Sequence, residues 1–218
     1  LEQTPVIAVP GHDTTCAYDA IPAAADGSDI LLSAGTWSLV GFENDRPLLG
    51  DDAIAARVAN DRTGRTTGAG YRPLVNVIGL WLLEGTLKDF ASRPQNDAQW
   101  AAHIKAAETL PAPARLHDVT DAAFANPASM KAAIDAQLKR HGARAPRDLA
   151  GYVRLICASL GRGHADVIRT FEKLSGRTFR RILMVGGGSK NRLLCQATAD
   201  ASGLPVVSFS LEGTAVGN

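Results

Sequence analysis

The amino-acid sequence predicts an α/β fold, a mixed sheet flanked by helices, on three observations. Short apolar runs bounded by Gly, Pro, Asp and Ser open the chain and read as a β-meander. A long helical pattern with apolar spacings of three, four and seven follows at residues 146–174. After it comes a strand, glycine turn, helix, strand order, which implies a parallel crossover. No internal repeat or low-complexity linker divides the 218 residues, so one domain is expected rather than two small ones.

In chain order, the expected strands of the meander are residues 6–9, 30–33 and 37–42. Residues 46–72 are rich in Arg, Asp, Thr and Gly and read as a surface excursion with a short helix at 51–59. The arginines there, Arg57, Arg62, Arg65 and Arg72, alternate with acids and are expected on a solvated face. Residues 74–90 are apolar so densely that a buried core helix is expected, with Gly79 and Gly85 allowing close backbone approach. Asn126 as N-cap, Pro127 at the first helical position and Gly142 past the end punctuate a helix over 129–141. The long helix places Leu149, Val153, Ile156, Leu160, Val167, Phe171 and Leu174 on one stripe and stops at Gly176. A strand at 181–185, the turn Gly186-Gly187-Gly188-Ser189, a helix at 191–201 and a strand from 204 complete the pattern.

Composition excludes several classes of function. The 23 Lys and Arg against 22 Asp and Glu give a net charge of +1, and 45% hydrophobic with 21% charged residues is ordinary for a globular protein. Disorder and a purely electrostatic nucleic-acid binder are disfavoured. The longest apolar stretch, interrupted by Asn76 and Gly79, is far short of the ~20 residues of a membrane span. Cys16, Cys157 and Cys195 have no metal or disulfide spacing, which fits a reducing cytoplasm, and Cys16 reads as a small buried thiol. The chain opens on Leu1, almost directly with an apolar run, and ends abruptly at Asn218, as expected of a piece of a longer polypeptide.

Four places can carry chemistry. The turn at Gly186, Gly187 and Gly188, followed by Asn191, lies between a strand and a helix, where backbone N–H groups attract phosphate; a structural tight turn explains it equally well. It lacks the Walker A lysine spacing and half-matches the dinucleotide pattern, with Glu212 downstream for a ribose. The opening meander argues against a dehydrogenase of that type. Next, Gly11-His12-Asp13-Thr14-Thr15 offers either a general base for a hydroxyl or a capping aspartate in a turn. Third, Gly35 and Thr36 form either a plain hairpin turn or a phosphate contact through the Thr36 hydroxyl. Asn76 and Glu84, polar on an apolar segment, are either at a helix edge or face a ligand.

Taken in order, His12-Asp13-Thr14, the run from Gly35 to Glu43, the Asn76 segment and the triple-glycine turn resemble the second domain of the FGGY carbohydrate kinases, most closely the branch acting on L-rhamnulose. The resemblance spans residues 6–218. It implies an actin-like ATPase domain of the ribonuclease H type, with sugar and ATP meeting between two such domains. On that likeness Asp13 is the catalytic base, and His12, Thr14 and Asn76 touch the sugar. Gly35, Thr36, Gly186, Gly187, Gly188 and Asn191 lie against ATP, with Mg²⁺ as cofactor. Glu84 stands in the ATP site where the family pattern has Gln, which places a negative charge near the phosphates. The partner implied is a first kinase domain absent from this chain, and the family's closing helices are missing too. Membrane and nucleic-acid partners are not implied. The competing expectation is a nucleotide-binding or regulatory module that keeps the fold without catalysis.

Overall fold

The computed structural model describes residues 13–63 and 70–209. In chain order the elements are α1 (Asp13–Asp19), β1 (Asp29–Ala34), β2 (Trp37–Phe42), α2 (Asp51–Ala55), β3 (Ala59–Arg62), β4 (Tyr71–Ile78), α3 (Trp81–Asp89) and α4 (Asp97–Glu108). They continue with α5 (Met130–Arg140), α6 (Leu149–Ser175), β5 (Arg181–Val185), α7 (Arg192–Ser202) and β6 (Val206–Ser208). Six strands form one sheet in the order β3-β4-β2-β1-β5-β6. The β1–β2, β2–β4 and β3–β4 pairs are antiparallel, and β5 and β6 run parallel to β1. The mixed sheet flanked by helices is thus the expected fold.

Both faces of the central strands are covered, which is why Ile30-Leu31-Leu32 and Ile182-Leu183-Met184-Val185 are unbroken apolar runs. Strand alternation sends Ile30, Leu32, Val40, Phe42, Val75, Val77, Ile182 and Met184 into the larger core, with Tyr152, Ile156, Leu160 and Phe171 of α6. Leu31, Leu183 and Val185 point the other way, against Ala17 and Tyr18 of α1 and Ile21.

Helix α6 begins where the Asp148 side chain accepts the Gly151 N–H at 2.9 Å and ends at Gly176, whose φ of 69° is left-handed. At Gly161 a Cβ would lie 2.5 Å from the Ala197 carbonyl, so α7 crosses α6 at a separation only glycine permits. Helix α7 is capped by the Asn191 side chain, which accepts the Leu194 N–H at 3.1 Å.

Four expectations are corrected. Residues 74–90 are not one helix: the first part is β4, a gap follows at Gly79, and only α3 is helical. Apolar density alone cannot separate a buried strand from a buried helix, and here β-branched Val75, Val77 and Ile78 decide for the strand. The cap of α5 is Ser129, which accepts the Ala132 N–H at 3.0 Å, rather than Asn126. The excursion contains an edge strand, β3, and its helix ends at Ala55. Arg72 is fully buried instead of solvated, whereas Arg57 and Arg62 are exposed; Arg65 lies outside the described residues. Helices α1 and α4 were not foreseen. Cys16 is buried as expected, and none of the three cysteines is in a disulfide. The strand expected at residues 6–9, together with Gly11, His12 and Glu212, lies outside the described residues.

Candidate functional site

The β1–β2 hairpin turns at Gly35 and Thr36, and its carbonyls meet the start of α3. Thr36 O accepts the N–H groups of Gly79 and Trp81, each at 3.1 Å, and Gly35 O accepts that of Leu80 at 2.8 Å. These bonds satisfy donors that a helix N-terminus leaves open. The approach requires glycine at 79, where a Cβ would sit 2.5 Å from Gly35 O. The triple-glycine turn closes on the same place. Gly186 has φ 83° and would bring a Cβ to 2.8 Å from Ala34 O, and a Cβ on Gly188 would lie 2.6 Å from that of Ala34. Hairpin, α3 and glycine turn therefore gather at the carboxyl ends of the parallel strands β1 and β5, the usual ligand end of such sheets.

One side of this junction is a pocket of about 890 Å³ between α3, α4, the glycine turn and the start of α7. Leu80, Leu83, Trp100 and Ile104 give it apolar walls, Gly187 and Asn191 its floor, and Lys105, Lys190 and Arg192 its cations. The size suits a nucleotide-sized ligand. Glu84 lines it too, with its carboxylate 3.2 Å from Arg93. Arg192 grips Glu108 with two bonds of 2.9 and 2.6 Å, tying α7 to α4 and holding the Glu108 carboxyl below its usual range. The α4 wall escaped the sequence reading. Its signal was the Asn96 cap, which accepts the Gln99 N–H at 3.0 Å, followed by Trp100, Ile104 and Ala107 at helical spacing.

The opposite face of the sheet, where α1 packs, carries Asp13 and Asn76. Asp13 opens α1 rather than lying in a turn, and its Oδ1 accepts the Thr14 N–H at 2.7 Å. The Thr15 hydroxyl donates to Asp61 Oδ2 at 3.1 Å, and the Tyr18 hydroxyl donates to Leu39 O at 2.5 Å. Burial raises the Tyr18 phenol well above its ordinary value, so that hydroxyl remains a donor. Leu39 is the cross-strand partner of Asn76, which is exposed on β4 and not on a helix. Asn76 thus shares the α1 face of the sheet. The expected sugar residues Asp13, Thr14 and Asn76 fall on this face, and Glu84, Gly187 and Asn191 fall in the pocket. Gly35, Thr36, Gly186 and Gly188 lie at the strand ends, where the two sides meet.

Residues 30–218 match the family model described as the FGGY family of carbohydrate kinases, C-terminal domain. The chain belongs to this family. Among its curated relatives, the rhamnulokinase of Enterobacter sp. (strain 638) is 40% identical over 216 residues, 99% of this chain and 42% of that protein. The rhamnulokinase of Klebsiella pneumoniae (strain 342) is 40% identical over 214 residues, with 98% and 42% covered. This FGGY chain therefore spans less than half the length of the curated relatives it matches. Solved structures share the fold: the xylulose kinase from Rhodospirillum rubrum has a TM-score of 0.68 at 17% identity, covering 94% of this chain and 39% of that one. Plasmodium falciparum glycerol kinase with ADP has a TM-score of 0.60 at 11% identity, covering 94% and 39%. The fold of this FGGY chain is thus that of the actin-like ATPases. No helix among its described residues is long and apolar enough to cross a membrane.

Proposed function

We propose that the full-length protein transfers the γ-phosphoryl group of ATP to the 1-hydroxyl of a ketose, L-rhamnulose or a similar L-ketose. The observation that carries this is the division between the two faces of the sheet: an apolar, cation-rimmed pocket beside the Thr36 hairpin on one face, and a short helix headed by a carboxylate on the other. The 40% identity to rhamnulokinases supports the choice of sugar.

In this reading ATP occupies the pocket, its base against Trp100 and Ile104 and its phosphates toward Thr36 and the glycine turn. Backbone N–H groups, the Thr36 hydroxyl and local cations hold the anion, so a chain of net charge +1 needs no global positive field. Glu84 enters already paired with Arg93, which offsets the negative charge that replaces the family's Gln. Asp13 accepts the proton of the sugar hydroxyl as its oxygen attacks the γ-phosphorus in line, and ADP leaves. His12, Thr14 and Asn76 orient the sugar. A Mg²⁺ ion would be held chiefly by the nucleotide's own phosphates. When bound, that ion neutralises phosphate charge.

A coupled assay of the full-length protein, with ATP and Mg²⁺ against L- and D-ketoses, tests the reading. Sugar-dependent ADP release with L-rhamnulose among the best acceptors is expected. Nucleotide binding with no turnover on any sugar would replace the kinase with a non-catalytic module. Asp13→Asn should cut kcat by ~10² to 10⁴ if the carboxylate is the base. The 218-residue chain alone is expected to release no ADP, because a first kinase domain would supply the rest of the sugar pocket.

A further inference from the structure

Arg72 is a charged side chain with no exposure to solvent, and nothing in the reading above uses it. Strand β4 directs it onto the face that carries α1. There its guanidinium donates to Asp19 Oδ1 of α1 at 2.7 Å, to Glu43 Oε1 just past β2 at 3.1 Å, and to the Thr15 carbonyl of α1 at 3.4 Å. It also lies over the Tyr18 ring, 5.3 Å from the centroid. Its cross-strand neighbour Asp61 takes the Thr15 hydroxyl. Of these four contacts among the described residues, three end on α1 and one on Glu43.

Helix α1 has seven residues, too few to hold its own geometry in water, so its orientation is that of its anchors. Apolar packing would hold such a helix as well as a buried ion pair does, without the cost of desolvating a guanidinium. What the planar, multi-donor fork adds is a fixed direction, because several bonds must be met at once. The residue for which direction matters is Asp13, at the head of the same helix.

We propose that Arg72 is a positioning residue: by clamping α1 through Asp19, the Thr15 carbonyl and the Tyr18 ring, it aims the Asp13 carboxylate at the sugar hydroxyl. The inference rests on Asp13 being the general base. In the full-length protein, kcat and KM are measured for Arg72→Met, Arg72→Lys and Asp19→Asn, each alone and combined with Asp13→Asn, at a temperature where circular dichroism finds the variant folded. Arg72→Met and Asp19→Asn are expected to lower kcat by ~10- to 100-fold, the penalty of a misplaced reacting group, while the KM for ATP stays within about twofold. Arg72→Lys recovers part of that loss. Combined with Asp13→Asn, the same substitutions cost less than about threefold, since no base remains to be misaimed.

A kcat within about threefold of wild type for Asp19→Asn and the folded Arg72 variants overturns the positioning role and leaves the Asp13 assignment standing. Equal losses with and without Asp13 mean a purely structural role and overturn it as well. Wild-type turnover in Asp13→Asn alone overturns the base assignment and this inference together. If Arg72→Met does not fold, Asp19→Asn decides, because it alters a side chain that is 22% exposed.

Discussion

Replacing Gly161 by alanine sets two known effects against each other. Alanine is the better helix former by about 1 kcal/mol, so in an isolated helix the change would stabilise α6. In this protein the new Cβ would lie 2.5 Å from both the carbonyl carbon and oxygen of Ala197 and 2.8 Å from Thr198 N, all of them backbone atoms. To restore an ordinary contact of 3.4 Å, α7 must retreat by about 0.9 Å. That retreat strains the 3.0 Å hydrogen bond between His164 Nδ1 and the Thr198 hydroxyl and loosens Leu193 and Leu194, which are buried against the core. Overpacking of this kind costs about 2 kcal/mol and the weakened hydrogen bond about 1, so strain exceeds propensity and the net loss is about 2 kcal/mol. For a chain of this size the midpoint of thermal unfolding should drop by roughly 4 to 8 °C. Gly163→Ala on the same helix is the control, since its Cβ meets a side-chain methyl of Val119, at 2.7 Å, and no backbone atom. It gains the same propensity and should unfold within about 3 °C of the wild type. Calorimetry of both variants decides, and a Gly161→Ala midpoint equal to or above that of Gly163→Ala would refute the close-crossing argument.

Burial pushes His164 and His117 down to about 4, so the folded chain keeps them neutral while the unfolded chain protonates them below about pH 6.5. Their contribution to stability is complete above that pH and is lost as the pH falls toward 4, at up to about 1.4 kcal/mol per unit for each group. Urea unfolding at pH 7 and pH 5 should record this loss, and His164→Gln should remove roughly half of it; an unchanged pH dependence contradicts the assignment. Trp100→Ala strips one apolar wall of the pocket and should raise the KM for ATP roughly tenfold, leaving the KM for sugar unaltered. A KM for sugar that rises in parallel would move Trp100 out of the nucleotide pocket.

Much of the fold was legible because its signals are local. β1 and β2 announce themselves by apolar runs on either side of Gly35, and α6 carries its own stop in Gly176. The elements that escaped have their reasons elsewhere in the molecule. β3 is an edge strand of Ala59, Asn60, Asp61 and Arg62, held by its register with β4 and by no apolar pattern of its own. Helix α4 buries only Ala107 completely, since its Trp100 and Ile104 face a pocket, and its period is correspondingly faint. The candidate site divides in the same way. Gly35, Thr36 and the glycine turn were visible as backbone devices, but the company each side chain keeps was not. Asp19 and Arg72, 53 positions apart, carry no hint in the sequence that they are paired, and the charge alternation around Arg72 pointed to solvent.

The junction at Ala34 also constrains how such a sequence can drift. Gly79 and Gly186 are hemmed in by carbonyl oxygens, which no neighbouring substitution can remove, so relatives sharing this geometry should keep glycine at both places whatever else changes. Gly188 is different, because the nearest atom a side chain there would meet is the Ala34 methyl. With glycine at position 34 the tightest of these contacts disappears and the carbonyl oxygen at 3.0 Å remains, so alanine at 188 then needs a shift of only a few tenths of an ångström. Across an alignment of relatives these two positions, remote in sequence, should therefore covary, while 79 and 186 stay silent.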